Sequence, residues 1–251
     1  MHTCKSHHAG SAGPCSFASE RQWNLERHLA HYAKKEQQTY QEYEQELTKR
    51  PQKSIYTNQD AMAVLNQYPM SSVHALLLPT STQNVHPTLR AFQDPKFLAT
   101  VREEALRLKA MIESELDRKY GKYSAQEVDR QAVLNGEVEI QKEEDMPKGR
   151  DWGRDVLVGV HARPWMNCIY VNVLSKDLFS KGIENKTHYN SFATPFLIDL
   201  ADLPLSEHEI RERERFLAAD LVCWRCGRNF GDEFPLLKEH LAEEFEKWKA
   251  E

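Results

Sequence analysis

Apolar residues return at two different spacings along this chain of 251 residues, and the switch between them marks its elements. After Asp94, the residues Phe97, Val101, Ala105, Leu108, Ile112 and Leu116 recur every three or four positions. That period puts them on one stripe of a long helix. Asp94 suits its N-cap, Pro95 its first turn and Gly121 its stop. On either side the period falls to two. Ala61–Leu65 and Val73–Leu78 predict short strands joined by a turn over 67–72. Val156–Val160 and Cys168–Leu174 predict two more. In the last of these, Ile169, Val171 and Val173 face a core, while Cys168, Tyr170 and Asn172 share the opposite face. A long helix among short strands is an α+β pattern.

The polar stretches divide the chain. Residues 1–19 are rich in Ser, Gly and His and read as a disordered tail. Residues 20–50 carry Glu, Gln, Lys and Tyr with few aliphatics, which predicts a solvated helix stopped at Arg50-Pro51. The pattern is lost again over about 122–153, where Glu137–Gly149 reads as an exposed loop. These breaks give an N-terminal extension over 1–53, a compact domain over 54–205 with an insertion, and a small module over 206–251. No internal repeat is present.

Composition narrows the setting. Hydrophobic residues make up 40% and charged residues 28% of the chain, as in an ordinary globular protein. The net charge is −5, so any grip on nucleic acid must come from a local basic patch. No apolar run approaches the ~20 residues that cross a bilayer, and the N-terminus lacks the apolar core of a secretory signal. Five cysteines, two of them in a CxxC pair, suit a reducing compartment and a metal better than a disulfide framework.

The metal motif lies near the C-terminus. Cys223-Trp-Arg-Cys226-Gly227 forms a knuckle whose two thiolates can share one ion. Phe230 and Leu237 supply the small core of a ββα finger, and Pro235 can open its helix. His240 and Glu244 are four apart, so both project from one helical face toward the knuckle. Two thiolates, one imidazole and one carboxylate oxygen complete a tetrahedral zinc shell with no open position, which makes the ion structural. Glu243 is the weaker choice for the fourth ligand. A second candidate set, Cys15, His28 and His31, lacks a paired knuckle cysteine, because Cys4 is too far upstream. A histidine-bearing solvated helix is the preferred reading there.

The middle domain carries a resemblance. Tyr68-Pro69 with Val73-His74-Ala-Leu-Leu-Leu-Pro79, then Gly159-Val-His161-Ala-Arg-Pro164-Trp-Met166, Cys168–Ser175 and Asn185-Lys-Thr-His188-Tyr-Asn-Ser-Phe192 resemble the two halves of a histidine-triad (HIT) domain. With the finger downstream, the order is similar to the aprataxin family, over roughly Ile55–Lys249 apart from the insertion. The resemblance implies a HIT fold, an antiparallel sheet with a long helix, followed by a ββα zinc finger. It further implies binding to nicked or broken DNA and removal of the adenylate left on a 5′-phosphate by aborted ligation. The phosphopeptide-binding domain often found ahead of the family's animal members has no counterpart in residues 1–53.

One departure governs the expected activity. The family signature is His-φ-His-φ-His-φ-φ, with the central His attacking phosphorus, and the matching stretch here is Cys168-Ile-Tyr170-Val-Asn172-Val-Leu174. Tyrosine has a pKa of about 10, and no histidine remains on this strand to take its proton. Losing an obligatory nucleophile costs on the order of 10⁶ in kcat in a hydrolase of another class. Asn66 stands where the family holds ribose with an Asp, Met70 where a Lys or Arg often follows, and Trp165 where a Ser is expected. His74 and His161 match family histidines away from the nucleophile's place and are expected in supporting or phosphate contacts, or in a satisfied core. Lys186, His188, Asn190 and Ser191 match the family's DNA-facing segment, and Arg225 and Arg228 can add to it.

The expectation is thus a monomeric, zinc-bearing protein of the nucleus, with some in the cytoplasm, that binds DNA strand breaks but has lost adenylate hydrolysis. The N-terminal extension would recruit other repair proteins. Two alternatives stand beside it: residual hydrolysis through His74 or His161 with an activated water, and a protein-interaction module without DNA affinity.

Overall fold

The computed structural model describes residues 53–80, 89–163 and 168–251, together with Gln45 and Lys49, which are helical and exposed. All of them lie in one compact unit, Gln38–Glu251. The rest of the helix expected over 20–50, and Cys4, Cys15, His28, His31 and Trp165, lie outside the described residues. Among the described residues no helix is long and apolar enough to cross a membrane.

Six strands make one sheet: β1 (Ser54–Thr57), β2 (Ala61–Leu65), β3 (His74–Pro79), β4 (Val156–His161), β5 (Val171–Ser175) and β6 (Leu197–Asp199). Their order is β1-β2-β3-β5-β4-β6, and every pair is antiparallel. The register sets His74 opposite Leu174 and Leu76 opposite Asn172 on β5, with Gly159 of β4 opposite Asn172 on the other side. β3 and β5 are buried at every position, so both faces of the sheet are covered at its centre. Gly159 permits the close approach of β6. A Cβ there would come 2.5 Å from the Ile198 carbonyl oxygen.

The long helix α1 runs over Pro95–Tyr120, and its N-cap Asp94 accepts a 2.9 Å hydrogen bond from the Lys96 amide. Leu98, Val101, Ala105, Leu108, Ile112 and Leu116 are buried along its inner stripe. Phe97 is half-buried and rests on Phe92, so Leu98 takes the place expected of it. Opposite this stripe lie Ile169, Val171 and Val173 in the same core, which is the facing that the alternation required. Each such side chain contributes roughly 1.5–3 kcal/mol on full burial.

The insertion is more ordered than a loop. It contains α2 (Val128–Leu134), which buries no side chain of its own. Glu127 anchors it by accepting from the Arg150 amide at 2.7 Å. Arg150 then fastens the C-terminus. Its guanidinium lies over both the Trp152 and Trp248 rings, pairs with Asp155 at 2.8 Å and donates to the Trp248 carbonyl.

Past the sheet come α3 (Lys186–Ala193), α4 (Glu207–Glu214) and α5 (Phe234–Ala250). Ser206 and Glu209 form a reciprocal capping box at α4, which buries nothing and is the solvated helix its mixed charge suggests. α3 is N-capped by Asn185 and buries five of its eight residues against the sheet and the C-terminal module.

Candidate metal centre and adjoining polar cluster

The knuckle is a tight hairpin. Cys223 N–H donates to Arg228 at 2.9 Å, Gly227 N–H to Cys223 at 3.0 Å, and Val222 bridges Asn229. Gly227 has φ of 75°, a left-handed turn that glycine adopts at no steric cost. α5 faces the hairpin and brings His240 to it. The Sγ atoms of Cys223 and Cys226 and a ring nitrogen of His240 lie within 4.8 Å of one another, with Cys226 Sγ 3.1 Å from His240 Nε2. Zinc sits about 2.3 Å from sulfur and about 2.0 Å from imidazole nitrogen, so three donors this close fit a single ion. Burial pushes the Cys223 thiol up, so its thiolate form needs a cation beside it.

Glu244 sits one helical turn beyond His240, buried, with Oε1 3.9 Å from His240 Nε2. Its carboxylate is held by Arg225 and Lys247, each at 2.7 Å, which places it beside the three-donor cluster rather than within it.

The hairpin and α5 share one apolar core with the sheet. Leu221, Cys223, Phe230, Leu237 and Leu241 pack with Met70, Leu174, Leu178, Ile183, Tyr189 and Phe192. Polar contacts cross the same boundary: Trp224 Nε1 donates to the Asp177 carbonyl at 3.1 Å, and Lys238 Nζ to the Ile183 carbonyl at 3.0 Å.

The sheet face beneath α3 carries a buried polar cluster. His74 Nδ1 accepts the Met70 amide at 3.1 Å, which leaves Nε2–H to donate to Asn172 Oδ1 at 3.1 Å. Asn66 Nδ2 lies 3.3 Å from the same ring, and Asn66 Oδ1 accepts the Tyr68 amide. Tyr170 Oη lies 3.3 Å from His161 Nδ1. A histidine of β4 thus stands beside Tyr170, a pairing that no sequence spacing reveals. Both imidazoles are kept neutral: burial lowers the His74 pKa to about 4, and burial with repulsion from His74 lowers His161 to about 3. Such a ring is a weak base. Cys168 and Tyr170 are buried with Met62, Val64, Leu76 and Leu78 on the same face.

The remaining expected residues serve the fold more than the surface. Asn190 is fully buried and donates to the Leu217 and Ala219 carbonyls at 3.2 and 2.7 Å. Ser191 is buried and donates to the His188 carbonyl, and His188 lies inside with Nδ1 3.0 Å from the Gly182 oxygen. The expectation of phosphate donors along this segment did not allow for an inward-facing helix. Lys186 pairs with Asp232, Arg225 with Glu244 and Glu251, and exposed Arg228 lies over the Phe230 ring.

Residues 193–247 match the family described as a C2HE / C2H2 / C2HC zinc-binding finger. The chain is 27% identical to an aprataxin-like protein of Schizosaccharomyces pombe over 208 residues, which cover 77% of this chain and 75% of that one. An aprataxin-like protein of Saccharomyces cerevisiae is 45% identical over 96 residues, 36% of this chain and 44% of the relative. Among solved structures, the aprataxin ortholog Hnt3 in complex with DNA superposes with a TM-score of 0.59 at 26% identity, covering 81% of this chain and 92% of that one. Sheet, helix and knuckle together thus define a HIT-fold α+β protein with one structural zinc ion in a C-terminal finger. Within that class the chain is aprataxin-like.

Proposed function

We propose that this protein binds nicked or broken double-stranded DNA as a DNA-repair factor in the nucleus and does not hydrolyse 5′-adenylate. DNA binding is supported by likeness to a solved relative captured with DNA across 92% of that chain. The loss of hydrolysis is carried by one observation: Tyr170, just ahead of β5, and Asn172, on it, lie against His161 and His74, whose burial keeps both rings poorly basic. A tyrosine hydroxyl facing so weak a base is not activated near neutral pH. The exposed edge of the grip falls to Arg228 and, on exchange of their ion pairs for phosphate, to Lys186 and Arg225. Glu244 completes the zinc shell in this reading, its carboxylate turning from Lys247 to the ion.

Two measurements test the proposal together. Anisotropy titration with nicked duplex at two salt concentrations is expected to show binding that weakens steeply with salt, because phosphate contacts release counterions. Incubation with 5′-adenylated nicked duplex is expected to give no turnover beyond that of a His161→Ala control. Salt-insensitive or absent binding overturns the first half, and turnover above the control overturns the second.

A further inference from the structure

The zinc knuckle and the polar cluster on the sheet are joined through one side chain, Tyr189 of α3. Its ring is fully buried in the shared core. Its hydroxyl donates to the Val222 carbonyl at 2.9 Å and accepts from the Trp224 amide at 3.0 Å. Those two groups flank Cys223, so one phenol holds the backbone on both sides of a zinc ligand. Three residues along the same helix, Phe192 packs edge-on against His74 and His161, with ring centroids 5.4 and 4.8 Å away. α3 is therefore seated on the knuckle at one point and on the two imidazoles at another.

We infer that Tyr189 is a positioning residue for the zinc centre, and that through α3 it couples metal binding to the arrangement of His74 and His161. The physical basis has two parts. A ligand backbone held in place before the ion arrives lowers the cost of ordering on binding, and outer-shell partners of metal ligands typically set affinity by about 10–100-fold. Coupling of this kind is reciprocal: whatever α3 contributes to metal affinity, the metal returns as order in α3.

Tyr189→Phe keeps the ring in the core and removes both hydrogen bonds. Competition for zinc against a chromophoric chelator is expected to show affinity weakened by about tenfold or more, while an Ile183→Val variant, altered in the same apolar core but not in these bonds, weakens it less. The wild-type chain gives a second measurement that does not depend on the variant folding. Removing zinc is expected to raise amide exchange over Lys186–Ala193 and to shift the imidazole signals of His74 and His161. Zinc affinity within twofold of wild type for Tyr189→Phe overturns the positioning role. Unchanged exchange in α3, with both imidazole signals unmoved, overturns the coupling.

Discussion

Arg150 donates to the backbone carbonyl of Trp248 at 2.6 Å, joining the insertion to the last turn of the finger helix across 98 residues of sequence. The carbonyl belongs to the C-terminal turn of α5, where the helix dipole favours a cation. The same guanidinium pairs with Asp155, and Trp248 Nε1 donates to the other oxygen of that carboxylate at 2.9 Å. Arg150→Met leaves the part-buried Asp155 carboxylate without its cation, held only by Trp248 Nε1. Breaking a buried pair from one side costs about 3–5 kcal/mol. We expect the lower end of that range, because the Asp155 side chain keeps 16% exposure. Urea denaturation at neutral pH checks this.

Zinc removal reaches beyond the finger. Because Leu237 and Leu241 share a core with Leu174 and Tyr189, loss of the ion is expected to loosen α3, which packs on that core, as well as the knuckle. Metal analysis should find one zinc per chain, falling to none in Cys223→Ser. Thermal unfolding of that variant should begin well below wild type, with α3 and α5 melting together. Glu244→Ala, with the three other donors intact, is expected to bind zinc more weakly than wild type but more tightly than Cys223→Ser. Equal affinity to wild type removes Glu244 from the shell.

Acid stability follows from the two buried histidines. Their folded pKa values, about 4 for His74 and about 3 for His161, lie below the 6.5 of an exposed imidazole. A depressed value means the folded state resists protonation while the unfolded chain accepts it. The stabilisation is therefore complete above pH 6.5 and is lost as pH falls toward 4 and then 3. For His74 alone the window corresponds to about 3 kcal/mol. Denaturation midpoints at pH 7, 6 and 5 should fall steadily, and His161→Phe should flatten the slope. A profile unchanged by that substitution contradicts the account.

Gly159→Ala tests the approach of β6. The new methyl group would meet the Ile198 carbonyl at 2.5 Å, a backbone atom that cannot swing aside, so the strand must shift. Overpacking of this kind costs about 1–3 kcal/mol. Amide exchange over Leu197–Asp199 should rise first.

The residues themselves determined a good part of this protein. The stripe from Val101 to Leu116 predicted α1, the alternation from Ile169 to Val173 predicted which side chains enter the core, and the spacing of Cys223, Cys226 and His240 predicted the ion. Each of these is a short-range pattern, set by helical or strand periodicity or by the reach of a knuckle, and such patterns survive in one dimension. β1 and β6 were not legible, being four and three residues long at the sheet edges, too short to show a period. Only the tertiary structure decided that His161 reaches Tyr170, that Asn190 and Ser191 point inward, and that Tyr189 grips the knuckle. Those relationships depend on strand order and on which face of α3 meets the sheet. Such contacts are chosen by the burial of the whole core, and no local spacing records them.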